Sequence, residues 1–339
     1  MSLTIERHRS LKPFNTFAVE AFATCFAEAH DDQEVVEALA EARRLGVQLW
    51  VLGGGSNLVL TSDVDALVLR MASRGVRMLE DDGERVVIEA EAGEPWHPFV
   101  LHSLALGLCG LENLSLIPGT VGAAPIQNVG AYGVEIKDFF AGLTALDRET
   151  GDLVEFDLQA CEFGYRDSVF KRQPERYIIL RVRFALQRTP NLKLEYGPLR
   201  HWLQQHDIES PTPLDISRAV CSIRSEKLPD PSVLGNAGSF FKNPLVSQSS
   251  AEALRARFPD LVAFVQADGQ VKLAAGWLIE QAGWKGYREG DAGVHALQAL
   301  VLVNYGRATG RQILELAGRI QRDIAERFGV QLEIEPNVM

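Results

Sequence analysis

The clearest pattern along the chain is helical. Apolar residues recur every three or four positions in Asp32–Leu45 and again in Thr309–Phe328, which predicts two amphipathic helices. Gly46 follows the end of the first helix, and Thr309 and Gly329 suit the N-cap and the C-terminal stop of the second. Each helix is therefore expected to bury one face against a core.

Shorter patterns alternate between helices and strands over the rest of the chain. Helices are predicted at Trp96–Leu106, Pro198–His206, Ser217–Glu226, Ala251–Arg257 and Ala274–Ala282. Alternating or wholly apolar runs predict strands at Val47–Leu52, Ala66–Met71, Val86–Ala90, Gly142–Asp147, Leu153–Phe156, Tyr177–Leu186 and Val330–Ile334. The chain is therefore α+β, and the polar, proline-bearing stretch Gln187–Leu192 predicts a first domain boundary.

Charge and composition limit the partners. The 339 residues include 34 lysines and arginines against 45 aspartates and glutamates, which gives a formal net charge of −11. Such a surface repels nucleic acid and anionic lipid, so we expect neither as a partner. An anionic small molecule would need a local cationic pocket. Four cysteines without a CxxC pair, and an N-terminus without an apolar signal segment, predict a cytoplasmic protein with reduced thiols.

The histidines do not predict a metal site. No grouping of histidine and cysteine has the spacing of metal ligands, so no metal is expected. His97 and His102 lie on one predicted helix, where hydrogen-bonded or exposed side chains are the simpler interpretation.

A glycine-rich loop directly follows the predicted strand Val47–Leu52. Its residues are Gly53, Gly54, Gly55, Ser56 and Asn57. Consecutive glycines turn successive backbone N–H groups toward one anion, which suits a pyrophosphate. The spacing is neither the Rossmann nor the P-loop fingerprint, and a plain turn between strands is the alternative.

An uncharged segment runs from Asn113 to Val134. Its prolines and glycines would break a membrane-spanning helix, so a buried loop around a ligand fits better. Small residues let the backbone approach a large flat ligand, while two amides and a tyrosine offer oriented polar contacts, as an isoalloxazine ring requires. The candidate contacts are Ile117, Pro118, Gly119, Gly122, Gln127, Asn128, Gly130, Ala131 and Tyr132.

These two segments, with Asn15-Thr16-Phe17 and Gly110-Leu111-Glu112, resemble the FAD-binding half of the UDP-N-acetylenolpyruvoylglucosamine reductase family. The motifs within Phe163–Lys171, Gly235–Pro244 and Leu332–Glu335 continue the resemblance over nearly the whole chain. The resemblance implies non-covalent FAD, NADPH as hydride donor, and an FAD-binding fold of the vanillyl-alcohol-oxidase (PCMH) type in two lobes, with a separate α+β substrate-binding domain.

The resemblance also implies a domain order. Residues 1–187 would form the FAD-binding domain, with lobes of about 1–66 and 67–187, and residues 188–308 the substrate-binding domain. Residues 309–339 would form a C-terminal helix and strand that return to the active site. We expect a monomer.

The implied reaction reduces UDP-N-acetylglucosamine enolpyruvate to UDP-N-acetylmuramate for peptidoglycan. Hydride addition to the outer carbon of the enolpyruvyl ether leaves negative charge on the inner carbon and its carboxylate. Arg166 suits this enolate because a guanidinium stays charged and holds a carboxylate at two points. Ser239 is the expected proton donor, and Glu335 is expected to assist Arg166. Glu333 remains the alternative carboxylate, because both glutamates lie on one side of an alternating strand.

Further residues are candidates for the UDP portion of the substrate. By resemblance, Tyr196 matches a tyrosine that the longer, Tyr-loop class of the family folds over bound substrate, and Lys227 lies near the diphosphate. Arg224 and Lys242 complete a local cationic cluster, and Asn243 adds an amide. Ordinary exposed surface charge is the alternative for the lysines.

Two rival functions use the same flavin-binding half. A flavin oxidase would need a cavity for a neutral alcohol or sugar, whereas Arg166, Ser239 and Lys227 suit an anionic substrate and a protonation step. A non-catalytic flavin or nucleotide-sugar binding protein would tolerate the loss of Ser239 and Glu335. NADPH and substrate are expected to use one pocket in turn.

Overall fold

The structure is a computed structural model that describes residues 3–266 and 268–339. In this part of the chain the α-helices are α1 (Asp32–Leu45), α2 (Trp96–Ala105), α3 (Val169–Arg172), α4 (Gly197–Gln205), α5 (Pro213–Lys227), α6 (Gln248–Arg257), α7 (Ala275–Gln281) and α8 (Gly310–Phe328). The β-strands are β1 (Glu6–Ser10), β2 (Phe22–Ala29), β3 (Gln48–Leu52), β4 (Leu58–Val59), β5 (Val64–Met71), β6 (Val76–Asp81), β7 (Arg85–Glu91), β8 (Gly130–Ala131), β9 (Val134–Glu135), β10 (Phe140–Asp147), β11 (Leu153–Phe156), β12 (Tyr177–Gln187), β13 (Gly235–Asn236), β14 (Leu245–Val246), β15 (Ala263–Val265), β16 (Val271–Leu273), β17 (Arg288–Glu289), β18 (Ala292–Val294), β19 (Leu302–Asn304) and β20 (Asn337–Val338).

These elements form two compact units. Unit 1 comprises Met1–Arg9, Ala23–Gly54 and Asp65–Glu226, and unit 2 comprises Ser10–Phe22, Gly55–Val64 and Lys227–Met339. Residues 188–226 thus belong to unit 1, so the compact units divide the chain differently from the predicted domains. The functional domain boundaries at 187 and 308 stay a prediction.

Unit 1 is built around two sheets. An antiparallel sheet has the strand order β11-β10-β12-β7-β6, and a second sheet has the order β1-β2-β5-β3, with β3 and β5 parallel. Strand β12 serves two cores, because Val182, Phe184 and Leu186 pack in one cluster with Trp96, whereas its earlier residues Ile178 and Leu180 pack with the buried face of α1. Strand β12 therefore contributes side chains to both hydrophobic cores of unit 1.

Local capping residues set both ends of helix α1. Its first turn is capped by the side chain of Asp31, which accepts a hydrogen bond from the Glu34 N–H, and Gly46 ends it in a left-handed conformation. Its apolar stripe is buried, and the buried residues are Val35, Ala38, Leu39 and Ala42. The predicted helix is confirmed.

Unit 2 is organised around α8 and the antiparallel sheet β13-β19-β18-β17. Helix α8 packs on β18 and β19, and Thr309 caps it through a reciprocal pair of hydrogen bonds with Gln312. Gly329 ends the helix in a left-handed conformation, as predicted. The buried stripe consists of Ile313, Leu316, Ala317, Ile320, Ile324 and Phe328. A small sheet β14-β16-β15 and the parallel pair β20 and β4 complete the unit.

The predicted strand Val330–Ile334 is wrong. Only an isolated antiparallel bridge between Ile334 and Phe241 forms there among the described residues, and the terminal strand is β20. The alternation of buried and exposed positions arises because Val330 and Leu332 pack inward without a strand ladder around them. Pro336, just beyond, cannot donate to a ladder.

The helix predicted at Ser217–Glu226 is confirmed but begins a turn earlier, at Pro213. The Thr212 hydroxyl accepts a hydrogen bond from the Asp215 N–H, and proline suits a first helical position. The remaining predicted helices and strands are confirmed with ends shifted by a few residues. In the part of the chain that the structure describes, no helix combines the length and the apolar character needed to cross a membrane.

Gly310 gives a test of the packing in unit 2. It is the first residue of α8, and a Cβ on it would overlap the Leu60 carbonyl oxygen. We expect Gly310→Ala to lower the free energy of unfolding by about 1–3 kcal/mol, because the overlap can be relieved only by moving the backbone of Leu60 or of the helix. Gly318→Ala, in the same helix, meets only the end of Arg322 at 3.7 Å. This control should raise the free energy of unfolding by about 0.5–1 kcal/mol.

Urea unfolding followed by circular dichroism measures both variants. Stabilisation by both substitutions would show that the close approach of α8 to Leu60 is not a real constraint.

Candidate active site

The glycine loop and the uncharged segment meet in unit 1. A Cβ on Gly54 would lie 2.7 Å from the Cα of Gly119, and a Cβ on Gly53 would lie 2.8 Å from the Oγ1 of Thr120. Carbon atoms do not approach that closely, so glycine is required where the two backbones touch. Two segments that the sequence proposed separately as cofactor contacts are therefore adjacent.

The uncharged segment is anchored on the connection between β7 and α2. The Gly119 carbonyl accepts the Trp96 N–H at 3.0 Å, and the Val121 N–H donates to the Glu94 carbonyl at 2.8 Å. The Gly122 N–H then donates to the carbonyl of Ala92 at 2.9 Å. These bonds fix the backbone that faces the glycine loop.

Thr120 supplies a direct test of whether a ligand fits here. Its hydroxyl oxygen is shielded from solvent and has no hydrogen-bond partner among the described residues. Leaving a buried hydroxyl unsatisfied costs about 1–3 kcal/mol, so a ligand with polar atoms would be favoured beside it. The residues present therefore fit a large cofactor that carries phosphate or amide groups. The sequence prediction did not include Thr120, because burial without a partner cannot be inferred from residue type.

The second part of the glycine loop lies in unit 2, where the motif Asn15-Thr16-Phe17 holds it. The Thr16 N–H donates to the Gly55 carbonyl at 3.1 Å, and the Thr16 carbonyl accepts the Asn236 N–H at 3.0 Å. The amide of Asn15 closes a turn by bonding the carbonyls of Leu11 and Val19. The motif therefore links the loop to the segment that carries Ser239. At the loop's end, the Asn57 carbonyl accepts the Asn337 N–H at 3.0 Å.

Strained backbone clusters in two segments of unit 1. Leu116, Asn128 and Tyr132 have positive φ within the uncharged segment, and Glu162 and Arg166 have positive φ in the segment around the Phe163–Lys171 motif. Such conformations persist only where neighbours enforce them, and they concentrate at functional sites. Asn128 joins the two segments, since its amide donates to the Gly164 carbonyl at 3.0 Å. Arg166 does so as well, because its Nη2 donates to the Gly130 carbonyl at 2.8 Å. The predicted catalytic arginine therefore lies against the predicted flavin segment.

Tyr132, Tyr196 and Arg224 form a second cluster in unit 1. The two tyrosine rings are 5.0 Å apart and interact edge to face, and the Arg224 guanidinium lies close to the Tyr132 hydroxyl. Burial raises the pKa of Tyr132 to about 12, so the phenol stays neutral. Burial lowers the pKa of Arg224, yet a guanidinium stays charged, and its Nε is buried without a partner among the described residues. An anion would neutralise this cation.

Asn113 holds the backbone of this cluster by hydrogen bonds, although the sequence prediction did not include it. Its buried amide nitrogen donates to the carbonyls of Tyr132 at 2.9 Å and Lys193 at 3.0 Å. The bond fixes the positive φ of Tyr132 and the start of the loop that carries Tyr196. Asn113 was detectable only as the first residue of the uncharged segment.

Ser239 and the C-terminal glutamates lie in unit 2. The Glu335 N–H donates to the carbonyl of Phe240 at 3.0 Å, so Glu335 is paired with the residue that follows Ser239. Glu333 differs, because its carboxylate forms an ion pair with Lys242 and its side chain is 70% exposed. Glu335 is only partly exposed. The two glutamates, equivalent in the sequence pattern, thus have different surroundings.

The remaining predicted substrate contacts, Lys227, Lys242 and Asn243, belong to unit 2. Lys227 is exposed at the last position of α5, and Lys242 is engaged by Glu333. The Oδ1 of Asn243 accepts the N–H of Ala275 at 3.0 Å and so caps α7, which leaves its amide nitrogen as the group able to donate to a ligand.

The two histidines of α2 agree with the sequence interpretation. The Nδ1 of His97 accepts the Leu116 N–H at 3.0 Å, and His102 is exposed. Within residues 3–266 and 268–339, no group of three histidine, cysteine, aspartate or glutamate side chains could hold a metal ion.

Comparison with known proteins identifies the cofactor and the class of enzyme. The family model for the FAD binding domain matches residues 23–157, and the model for the UDP-N-acetylenolpyruvoylglucosamine reductase C-terminal domain matches residues 230–339. The chain is an FAD-dependent oxidoreductase that takes its hydride from NADPH. The predicted α+β fold, with an FAD-binding part and a separate further domain, is confirmed.

The relatives identify the family. The UDP-N-acetylenolpyruvoylglucosamine reductase of Pseudomonas fluorescens (strain Pf0-1) is 71% identical over 99% of both chains, and that of Pseudomonas aeruginosa is 63% identical over 100% of both. The crystal structure of the Thermus caldophilus UDP-N-acetylenolpyruvylglucosamine reductase matches with a TM-score of 0.69 at 26% identity, over 99% of both chains. The chain belongs to the UDP-N-acetylenolpyruvoylglucosamine reductase family, as its motifs predicted.

The contact between Gly54 and Gly119 predicts a specific loss of cofactor binding. We expect Gly54→Ala to weaken FAD affinity roughly ten- to hundred-fold, because the added Cβ separates the two backbones at a cost of about 1–3 kcal/mol. Gly197→Ala is the control, since its Cβ would meet no atom within 4 Å. Titration of the apoproteins with FAD, followed by flavin fluorescence, measures both. Equal FAD affinity in the two variants would contradict the assignment.

Proposed function

We propose that the chain reduces UDP-N-acetylglucosamine enolpyruvate to UDP-N-acetylmuramate, in the synthesis of peptidoglycan precursors, as a cytoplasmic monomer. The observation that carries this proposal is the contact of the glycine loop with the segment of Gly119 and Thr120, beside an unsatisfied buried hydroxyl. When bound there, FAD supplies the hydride, which it has accepted from NADPH, to the outer carbon of the enolpyruvyl group. NADPH and substrate use the same pocket in turn.

FAD is held by backbone more than by charge in this proposal. The N–H groups of Gly53–Asn57 would bind the pyrophosphate, and the polar side chains of the uncharged segment would orient the ring system. What supports this is the anchoring of Gly119, Val121 and Gly122 on the connection between β7 and α2, because a fixed backbone needs no rearrangement to bind. The hydroxyl of Thr120 is the added donor.

Arg166 stabilises the enolate. Negative charge develops on the substrate carboxylate and the inner carbon, and a fixed guanidinium beside it lowers the barrier without reorganisation. The bond from Arg166 to the Gly130 carbonyl supports the role, since it sets the guanidinium against the flavin segment. The strained backbone of Arg166, with φ of 54°, is a second sign that this position is held for function.

Ser239 donates the proton and Glu335 assists the enolate. A carbanionic carbon is basic enough to take a proton from a hydroxyl within bonding distance. The backbone bond between Glu335 and Phe240 supports this pairing, because it keeps the glutamate next to the serine-bearing segment. The exposed ion pair of Glu333 with Lys242 favours Glu335 over Glu333 as the acting carboxylate.

Arg224 and its neighbours bind the anionic nucleotide-sugar. An unpartnered buried Nε on a permanent cation is expensive, and a diphosphate oxygen would satisfy it. Tyr196 lies against Tyr132 and is 46% exposed, which suits a ring that folds over bound substrate. Lys227, Lys242 and the amide nitrogen of Asn243 add donors.

Ser239→Ala separates the two half-reactions. We expect flavin reduction by NADPH to keep its rate, because the serine acts only after hydride transfer to the substrate. Reoxidation by substrate should slow by at least about a hundred-fold, the usual contribution of a positioned general acid. Stopped-flow absorbance of the flavin measures each half separately. Ser232→Ala, on an exposed serine of the same segment, is the control, and equal loss in both halves would refute the role.

The two glutamates provide a matched pair of variants. We expect Glu335→Gln to lower the rate of reoxidation by substrate about 10²–10³-fold, since it removes a group acting on the developing charge. Glu333→Gln should change it little, because that carboxylate is engaged in an exposed ion pair. The same stopped-flow assay measures both. The reverse order would assign the role to Glu333.

A further inference from the structure

One face of α5 carries three polar residues at helical spacing, Ser217, Cys221 and Arg224. Each of them contacts a different point of unit 1 in or beside the uncharged segment Asn113–Val134, which we call the flavin segment because of its proposed role. The hydroxyl of Ser217 is 2.8 Å from that of Ser115, and both side chains are buried. Arg224 lies close to the Tyr132 hydroxyl near the other end of the segment. Helix α5 thus touches the flavin segment at both ends, while also carrying the proposed substrate cation.

The third residue, Cys221, contacts His97 of α2. The Nε2 of His97 is 3.9 Å from the Cys221 sulfur, and its Nδ1 accepts the N–H of Leu116 at 3.0 Å. Because Nδ1 accepts, the proton of the neutral ring is on Nε2 and faces the sulfur. The imidazole is therefore a bridge between α5 and the backbone of Leu116.

Leu116 is a position where that bridge matters. It has φ of 57°, a left-handed conformation that a leucine adopts only under constraint. It directly precedes Ile117, Pro118 and Gly119, and Gly119 is the residue whose backbone touches the glycine loop. The backbone conformation of Leu116 sets the path of the next three residues and therefore the position of Gly119 against the glycine loop.

We infer that His97 is a positioning residue for FAD: its neutral ring holds Leu116, and so Gly119, in the geometry that the cofactor requires. The inference rests on the proposed location of FAD along these segments. His97 itself touches no reacting atom. Its partner Cys221 links the same bridge to α5, so that the cofactor segment and Arg224 share one support.

The bridge is sensitive to acid. A protonated imidazole has no acceptor, so protonation of His97 breaks the bond to Leu116. The titratable groups that face the ring are Arg224 and Cys221, and the flavin segment presents the Leu116 N–H. Burial, and then the charge of Arg224, lower the pKa of His97, while burial raises the pKa of the Cys221 thiol and keeps it neutral. The bond is thus present above the ordinary histidine pKa and lost as pH falls through the lowered one.

The test uses the affinity of the apoprotein for FAD, measured by flavin fluorescence from pH 8 to pH 5. We expect His97→Leu to weaken FAD binding roughly ten-fold at pH 8, because the Leu116 N–H loses its acceptor. His97→Gln should restore most of the affinity, since an amide oxygen accepts the same bond. It should also remove the weakening of affinity at acid pH, since glutamine does not titrate. His102→Gln, on the exposed face of the same helix, should match the wild type throughout.

Hydrogen exchange at the Leu116 amide is a second measurement that needs no cofactor. It should be faster in His97→Leu than in the wild type and protected again in His97→Gln. Thermal unfolding of the apoproteins identifies a variant that simply fails to fold.

Three outcomes would overturn the inference. One is wild-type FAD affinity in His97→Leu, and another is the wild-type pH profile in His97→Gln. The third is no rescue by glutamine in a folded protein, which would mark a packing role. A wild type that does not bind FAD at all would instead remove the proposed cofactor location, so the two failures are distinguishable.

Discussion

The contact of Gly54 with Gly119 is the constraint on which the site depends. Two backbones meet there at a separation that leaves no room for a Cβ, and one of them is fixed by the hydrogen bonds of Gly119, Val121 and Gly122. Because the contact is between main chains and lies beside a buried hydroxyl, a cofactor held there as proposed would be bound by backbone groups and would not require charge. That explains how a chain with a net charge of −11 offers a site to an anionic dinucleotide.

Charge enters only where the chemistry needs it. Arg166 donates to the Gly130 carbonyl from a strained backbone, and Arg224 lies close to Tyr132 with a buried, unsatisfied Nε. Each cation lies at a different position along the same uncharged segment, so a single loop positions the group proposed for the enolate and the group proposed for the diphosphate. Within unit 2, the backbone pairing of Phe240 with Glu335 keeps the carboxylate proposed to assist the enolate next to the segment of the proposed proton donor, Ser239.

Features that depend on residues close together in the sequence could be predicted from it. Helices α1 and α8 follow from apolar periodicity with an explicit cap and a glycine stop, and the glycine loop follows from its composition. Non-local facts were not predictable. The strand expected at Val330–Ile334 failed because alternation reports burial and not a partner strand. Thr120 was missed because an unsatisfied hydroxyl depends on residues distant in sequence. The proposed preference for Glu335 over Glu333 likewise rests on the ion pair of Glu333 with Lys242, which the sequence pattern does not indicate.

The most direct test of the proposed reaction is an anaerobic visible spectrum of the purified protein. It would be recorded before NADPH, after NADPH, and again after UDP-N-acetylglucosamine enolpyruvate. The account predicts flavin absorbance that bleaches with NADPH and returns when this substrate is added. A protein that stays colourless after incubation with FAD would contradict the cofactor site. A reduced flavin that ignores the substrate and is reoxidised only by oxygen would contradict the reaction and indicate an oxidase.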